Sequence, residues 1–270
     1  MNERFRPGEP AWIELCTTEP GAAEIFYAAL LGWECRREPL AAGEYRMCTL
    51  DGRDVAGIAD ANLTHAGVPQ GWLTYFAVED AKAATDRARA LGCEVVMAPR
   101  YLPNAGTGSV VVDPFGATLG LYEGEARAGV EVLDAAGSLC WNELATSDPA
   151  QSIAFYRELF GYGTERRESP TGRPYTVLQL DDLPVAGVLE LEGEWPNVLP
   201  ARWVPYLSVA SIGTAVDRVL ALGGATSIGP VGSPYGVLHV VRDPEGNALY
   251  LIELEAGLRR SAHLSTMAGE

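Results

Sequence analysis

The chain has 270 residues, 47% of them hydrophobic, which is enough to bury a large core and to make one large or two ordinary domains. Lys and Arg number 20 against 36 Asp and Glu, a formal net charge of -16, and a field of that sign repels phosphate backbones and anionic lipid, so neither nucleic acid nor a membrane is expected as a partner. No stretch approaches the ~20 apolar residues of a membrane span, the N-terminus lacks the pattern of a signal peptide, and a cytoplasmic location is expected.

Residues 1–10 are polar, carry Pro and Gly, and read as an arm. Ala11 to Cys16 alternates as a strand, with Trp12, Glu14 and Cys16 on one face. Glu19-Pro20 opens a helix, because an acidic side chain and Pro both suit a first turn, and Gly32 ends it. Strands are expected at Trp33 to Arg37, Tyr45 to Leu50 and, after the Asp51-Gly52 turn, Val55 to Ala59. Beyond a connection at 66–71 the order recurs. A strand from Trp72 leads to a helix that Asp80 can cap and Gly92 can end. Another strand follows, and then a hairpin of Gly108 to Val112 and Thr118 to Glu123 about the turn Asp113-Pro114-Phe115-Gly116.

The second half repeats the first. Trp12 to Trp33 and Trp141 to Tyr162 share nine of 22 positions, and Trp203 and the turn Asp243-Pro244-Glu245-Gly246 follow their counterparts Trp72 and Asp113-Pro114-Phe115-Gly116 at nearly the same offset. Near-constant spacing marks an internal duplication with few insertions. The expected organisation is an arm at 1–10, a first domain at 11–124, a linker at 125–137, a second domain at 138–256 and a frayed tail at 257–270. The five cysteines, Cys16, Cys35, Cys48, Cys93 and Cys140, are odd in number and never form a CxxC pair, a pattern that fits reduced, buried thiols.

Four strand-helix-strand-strand-strand modules, with AFYRELFG and DPEGN signatures, resemble the vicinal oxygen chelate superfamily of glyoxalases, bleomycin-resistance proteins and extradiol dioxygenases over roughly Pro10 to Glu255. The resemblance implies an α+β fold of tandem duplicated βαβββ modules, paired into two cup-shaped mixed-sheet domains. It also implies metal ligands inside each cup in metal-dependent members. At the expected positions this chain has Trp12 and Trp141, Leu73 and Val204, and Gly120 and Tyr250, with carboxylates near only one place, Asp60 and Glu190. Of the three histidines, His65 falls in a connecting loop, His263 in the tail and His239 on a penultimate strand. A catalytic divalent metal needs about three such ligands with imidazole prominent, so no cofactor is expected, a carboxylate-rich divalent metal site using Glu14 or Glu143 being the alternative.

By strand alternation and by that resemblance, the second cup is lined by Trp141, Glu143, Val204, Tyr206, Tyr250 and His239, with Trp195 in a nearby loop, and the first by Trp12, Glu14, Leu73, Tyr75 and Gly120. Aromatic walls with few polar groups describe a pocket for a flat, partly apolar small molecule. Glu143, desolvated against Trp141, is the expected acid or base, with His239 as a further candidate and Glu14 as the counterpart in the first cup; Tyr206 or Tyr250 would donate to a developing oxyanion. The bland alternatives are that the tryptophans are core plugs and that Glu14 and Glu143 bind backbone amides or Arg side chains at a domain seam. Tyr27 and Tyr156 read as packing residues. The expected function is a metal-independent lyase-, isomerase- or cyclase-like enzyme of secondary metabolism, as monomer or homodimer. The alternatives are a sequestering protein of the bleomycin-resistance type and a metal-dependent glyoxalase or dioxygenase.

Overall fold

A computed structural model describes residues 5–40, 43–102, 104–168, 174–191 and 201–255. The first half runs β1 (Pro10–Thr17), α1 (Pro20–Leu31), β2 (Glu34–Leu40), β3 (Gly43–Leu50), β4 (Arg53–Asp60), β5 (Gly71–Ala77), α2 (Ala81–Ala90), β6 (Glu94–Leu102), β7 (Gly106–Val112) and β8 (Thr118–Gly124). The second repeats it as β9 (Leu139–Thr146), α3 (Pro149–Phe160), β10 (Gly163–Glu168), β11 (Pro174–Leu180), β12 (Leu183–Glu190), β13 (Arg202–Ser208), α4 (Ile212–Ala221), β14 (Ala225–Ser233), β15 (Gly236–Arg242) and β16 (Ala248–Leu254). Helix boundaries follow local chemistry. Pro20 and Pro149 sit in first turns, Asp80 and Asp148 accept the N–H groups of Ala83 and Gln151, and Gly32 and Gly161 close α1 and α3 in the left-handed conformation at φ 76° and 78°.

Each half forms one eight-stranded sheet, in the order β2-β3-β4-β1-β5-β8-β7-β6 and its equivalent β10-β11-β12-β9-β13-β16-β15-β14. The strands that open the modules, β1 with β5 and β9 with β13, meet antiparallel at the centre of each sheet. Every residue of β1 is buried, as expected of a strand covered on both faces.

The outer faces of the sheets curl into the two cups, and the helix-bearing faces pack against each other. One core cluster joins α1 and β1 to Leu207, Val219, Val241 and Leu251 of the second half. The other joins Phe76, Leu119 and Leu121 to Phe155, Leu159 and Trp203. Two reciprocal clamps cross this seam. Trp72 Nε1 donates to Tyr27 Oη, which donates to Asp243 at 3.0 Å; Trp203 Nε1 donates to Tyr156 Oη, which donates to Asp113 at 2.7 Å. Each aspartate belongs to the Asp-Pro turn of the opposite half and also accepts backbone N–H groups of its own turn, such as Ala117 and Asn247. Tyr27 and Tyr156 are thus more than packing residues, and Trp72 and Trp203 are core plugs with a bonded indole.

The arm and the linker are both held in place, and one sequence expectation, that all five cysteines are reduced, changes. Gly8 and Glu9 of the arm exchange backbone bonds with Ala77, and Tyr162 donates to the Gly8 carbonyl, so residues 5–10 are fixed. The linker packs through buried Val130 and Val132 and supplies the Gly137 carbonyl to Trp33 Nε1 at 2.7 Å. Cys35 and Cys48 form a disulfide across β2 and β3, where hairpin register sets their Cα atoms 4.1 Å apart; Cys16, Cys93 and Cys140 are free and buried. The tail from 257 lies outside the described residues. Among those described, no helix is long and apolar enough to cross a membrane.

Candidate functional site

The cups have the same frame. On β1, Trp12 and Glu14 face Tyr75 and Leu73 of β5, and on β9, Trp141 and Glu143 face Tyr206 and Val204 of β13. A tyrosine from the third strand of the first module in each half completes the frame. Tyr45 accepts the Trp12 indole N–H at 3.0 Å and Tyr175 accepts that of Trp141 at 2.9 Å. Both hydroxyls fit only because the strand beneath has glycine: a Cβ on Gly57 or Gly187 would overlap the Tyr45 or Tyr175 Oη. The two glutamates are buried in the cups among tyrosines. The seam role weighed for them is not what they do.

Electrostatically the cups differ. In the first, the loop after β4 turns tightly on Asp60, whose carbonyl receives the N–H groups of Leu63, Thr64 and His65, while Arg100 donates to the Thr64 carbonyl at 2.6 Å. That turn inserts His65 beneath the sheet, with Nε2 at 2.9 Å from Glu14 Oε1. Tyr75 Oη donates to the same oxygen at 3.3 Å. Burial alone would raise the Glu14 carboxyl, but the charge and hydrogen bond of His65, with Tyr45 and Tyr75, hold it below the ordinary carboxylate value. The cavity is lined by Trp12, Met47, Leu102 and Tyr122 around this pair. At its mouth Arg127, from the linker, donates to Asp54 at 2.8 Å and to Glu38 at 3.2 Å. Reading His65 as a simple loop residue missed this pair, because loops have no period to show facing. The available signal was the turn chemistry of Asp60, Asn62 and Thr64.

In the second cup no histidine among the described residues reaches Glu143. Burial pushes its carboxyl up to about 7, opposed only by hydrogen bonds from Tyr206 and Tyr175, and its Oε1 has no partner among the described residues. Tyr250 occupies the place of Gly120 and stacks on Tyr206 with ring centroids 4.6 Å apart. Val204 and Tyr206 join Tyr250 and Ile252 in the apolar wall, with Trp141 against them. At the mouth Arg167 donates to Glu165 and, at 2.7 Å, to Tyr235. Arg202, which the sequence reading did not single out, shares the strand face of Val204 and Tyr206, and its Nη1 is buried without a partner among the described residues.

The remaining candidates separate. His239 lies across from Leu251, on the face opposite Val240 and Tyr250, so it points to the helix side and is not part of the cup. Its counterpart Ser109 is likewise turned to α2, against the Thr85 hydroxyl. Trp195 lies outside the described residues. The donor set of the described residues does not fit a divalent metal. Among the described residues no three His, Cys, Asp or Glu side chains converge, and Glu14 with His65 make only a pair.

Residues 10–121 match the Glyoxalase/Bleomycin resistance protein/Dioxygenase superfamily and residues 140–252 a glyoxalase-like domain, which defines a tandem protein of the vicinal oxygen chelate class. The chain is 35% identical to a putative glyoxylase of Mycobacterium bovis, over 90% of its own length and 93% of that protein. It is 34% identical to the anthracycline biosynthesis protein DauV of Streptomyces sp. strain C5, over 93% and 95%. The fold is shared with the Mn(II)-bound glyoxalase of Novosphingobium aromaticivorans, at a TM-score of 0.61 and 15% identity, covering 93% of this chain and 83% of that one. The chain belongs to the glyoxalase/bleomycin resistance protein/dioxygenase superfamily.

Proposed function

We propose that the protein is a metal-independent enzyme that moves a proton on a flat aromatic or hydrophobic metabolite held in the second cup. The observation that carries this reading is Glu143: a buried carboxyl with one free oxygen, pushed up to about 7, beside aromatic walls. An acid–base group works best when its pKa lies near the working pH, because both forms are then populated. Glu14, at the same position of the first cup, already has its Oε1 taken up by His65 Nε2 at 2.9 Å and by the Tyr75 hydroxyl. The name of the Streptomyces relative, an anthracycline biosynthesis protein, supports a polycyclic aromatic ligand, and stacked Tyr206 and Tyr250 offer it a flat wall.

In the proposed step Glu143 Oε1 takes a proton from a carbon beside a ligand carbonyl. The electron pair of that C–H bond passes to the carbonyl oxygen, which Tyr250 stabilises by donating a hydrogen bond, the Tyr206 hydroxyl being already given to Glu143. Return of the proton at another position of the conjugated system completes an isomerisation and restores Glu143. A sequestering protein would need the same walls but no titrating carboxyl, so proton exchange separates the two.

The test is deuterium uptake from heavy water by a panel of polycyclic aromatic ketones, followed by mass spectrometry across pH. Exchange should rise through a midpoint near 7 and vanish in Glu143→Gln. The reading fails if Glu143→Gln and Tyr250→Phe leave exchange and affinity intact while Glu14→Gln removes both. Stoichiometric divalent metal retained by the purified, active protein would overturn its metal-independent part.

A further inference from the structure

We propose that Arg202 is the anion-binding residue of the second cup, and that the ligand brings to it a phenolate or enolate oxygen while an adjacent hydrogen faces Glu143. This rests on the second cup being the working site and adds the chemical class of what it binds. Three observations converge. The cups' other arginines are satisfied: Arg100 by the Thr64 carbonyl, Arg127 by Asp54 and Glu38, and Arg167 by Glu165 and Tyr235. Arg202 takes part in no ion pair among the described residues, and its Nη1 is shut away from water with no acceptor. A buried guanidinium N–H without a partner is rare in a native protein and calls for an explanation.

Its position supplies one. Arg202 precedes Val204 by two residues on β13, so the two share a strand face, and Val204 lies directly across from Glu143. A diagonal of that kind spans roughly 7–8 Å between backbones, within reach of a long side chain. No ion pair joins Arg202 to Glu143, so one cup holds two unfilled polar groups, a cationic donor and a carboxyl oxygen. Tyr250 lies in the field of both. A conjugated hydroxyl or enolisable ketone complements the two at once, its oxygen on Nη1 and its acidic hydrogen at Glu143 Oε1. Arg202 would also supply local attraction for an anion in a protein whose net charge is -16. The equivalent position of the first half is Gly71, which pairs with Cys16 as Arg202 pairs with Ala145. The device therefore belongs to the second cup alone.

The experiment uses the full chain and two probes of matched shape, the dihydroxyanthraquinone quinizarin and the hydrocarbon anthracene. Tryptophan fluorescence reports affinity, and the visible band of quinizarin reports its phenolate. The wild type should bind quinizarin more tightly than anthracene and shift ionisation of the bound dye down by about one pH unit or more. Arg202→Gln should weaken quinizarin about tenfold, remove the shift and leave anthracene unchanged. Glu143→Gln should keep the shift while losing proton exchange, so failure of the Arg202 assignment is distinguishable from failure of Glu143 as the acid or base. If Arg202→Gln does not fold, Arg202→Lys decides: a retained shift supports the assignment and its loss overturns it. A wild type that binds no quinizarin, that binds anthracene as tightly, or whose dye shift survives in Arg202→Gln also overturns it.

Discussion

Glu14 and Glu143 occupy the same place in two copies of one module, yet neighbours set their carboxyls apart, one below its ordinary value and one up to about 7. The difference is whether an imidazole is delivered beneath the sheet. For Glu143 the sign is definite. Between the ordinary glutamate value and about 7 the folded state holds a proton that the unfolded chain has released, so stability falls as pH rises through that window and is level above it. Glu143→Gln removes this term. Thermal melts should show the variant gaining stability over wild type at pH 8, on the order of 3 kcal/mol at most, and no gain at pH 4; an equal difference at both would contradict the burial argument. Glu143 was legible in the sequence because alternation on a strand fixes facing. Arg202, on the neighbouring strand β13, lies on the same face of the sheet but outside the aromatic pattern, and only its lack of a partner among the described residues singles it out.

At the scale of elements, strands and helices follow the chain's periodicity and punctuation closely, from the Pro20 start of α1 to its end at Gly32. What escaped was anything requiring a second element to be placed first. The Cys35–Cys48 bond depends on hairpin register, and the helix-side facing of His239 depends on its pairing with Leu251. The Tyr–Asp clamps depend on α3 meeting a turn from the other half. Tyr156 is buried between the Trp203 indole and Asp113, and burial holds its hydroxyl well above the ordinary tyrosine value, so it stays a neutral donor. Tyr156→Phe leaves two buried polar groups without their partner. A loss of about 1–3 kcal/mol is expected in urea unfolding, and Tyr27→Phe should behave alike. No loss in either would mean that the clamps contribute nothing beyond apolar packing.

For the molecule as a whole, the cores are shared across the seam rather than enclosed within each half. Phe76 of the first half stacks on Phe160 and meets Trp203 edge-on, at centroid distances of 5.1 and 4.8 Å. Residues 1–137 and 138–270 made as separate chains should therefore fail to fold as stable monomers, and should recover the native near-ultraviolet spectrum on mixing. Two cooperative, independent monomers in sedimentation and urea titration would count against a shared core.

The crossed clamps carry one more implication, about descent. Tyr27 reaches Asp243 and Tyr156 reaches Asp113, and this exchange of like for like is the geometry of an isologous twofold contact. Either half alone holds every part needed to clasp a copy of itself, so the fold is that of a symmetric dimer whose two partners share one polypeptide. Joining them ended the obligation to be identical. A change at position 65 or 202 is then made in one cup only, and two equivalent sites are free to diverge, one toward a carboxylate closed off by an imidazole and the other toward an open acid.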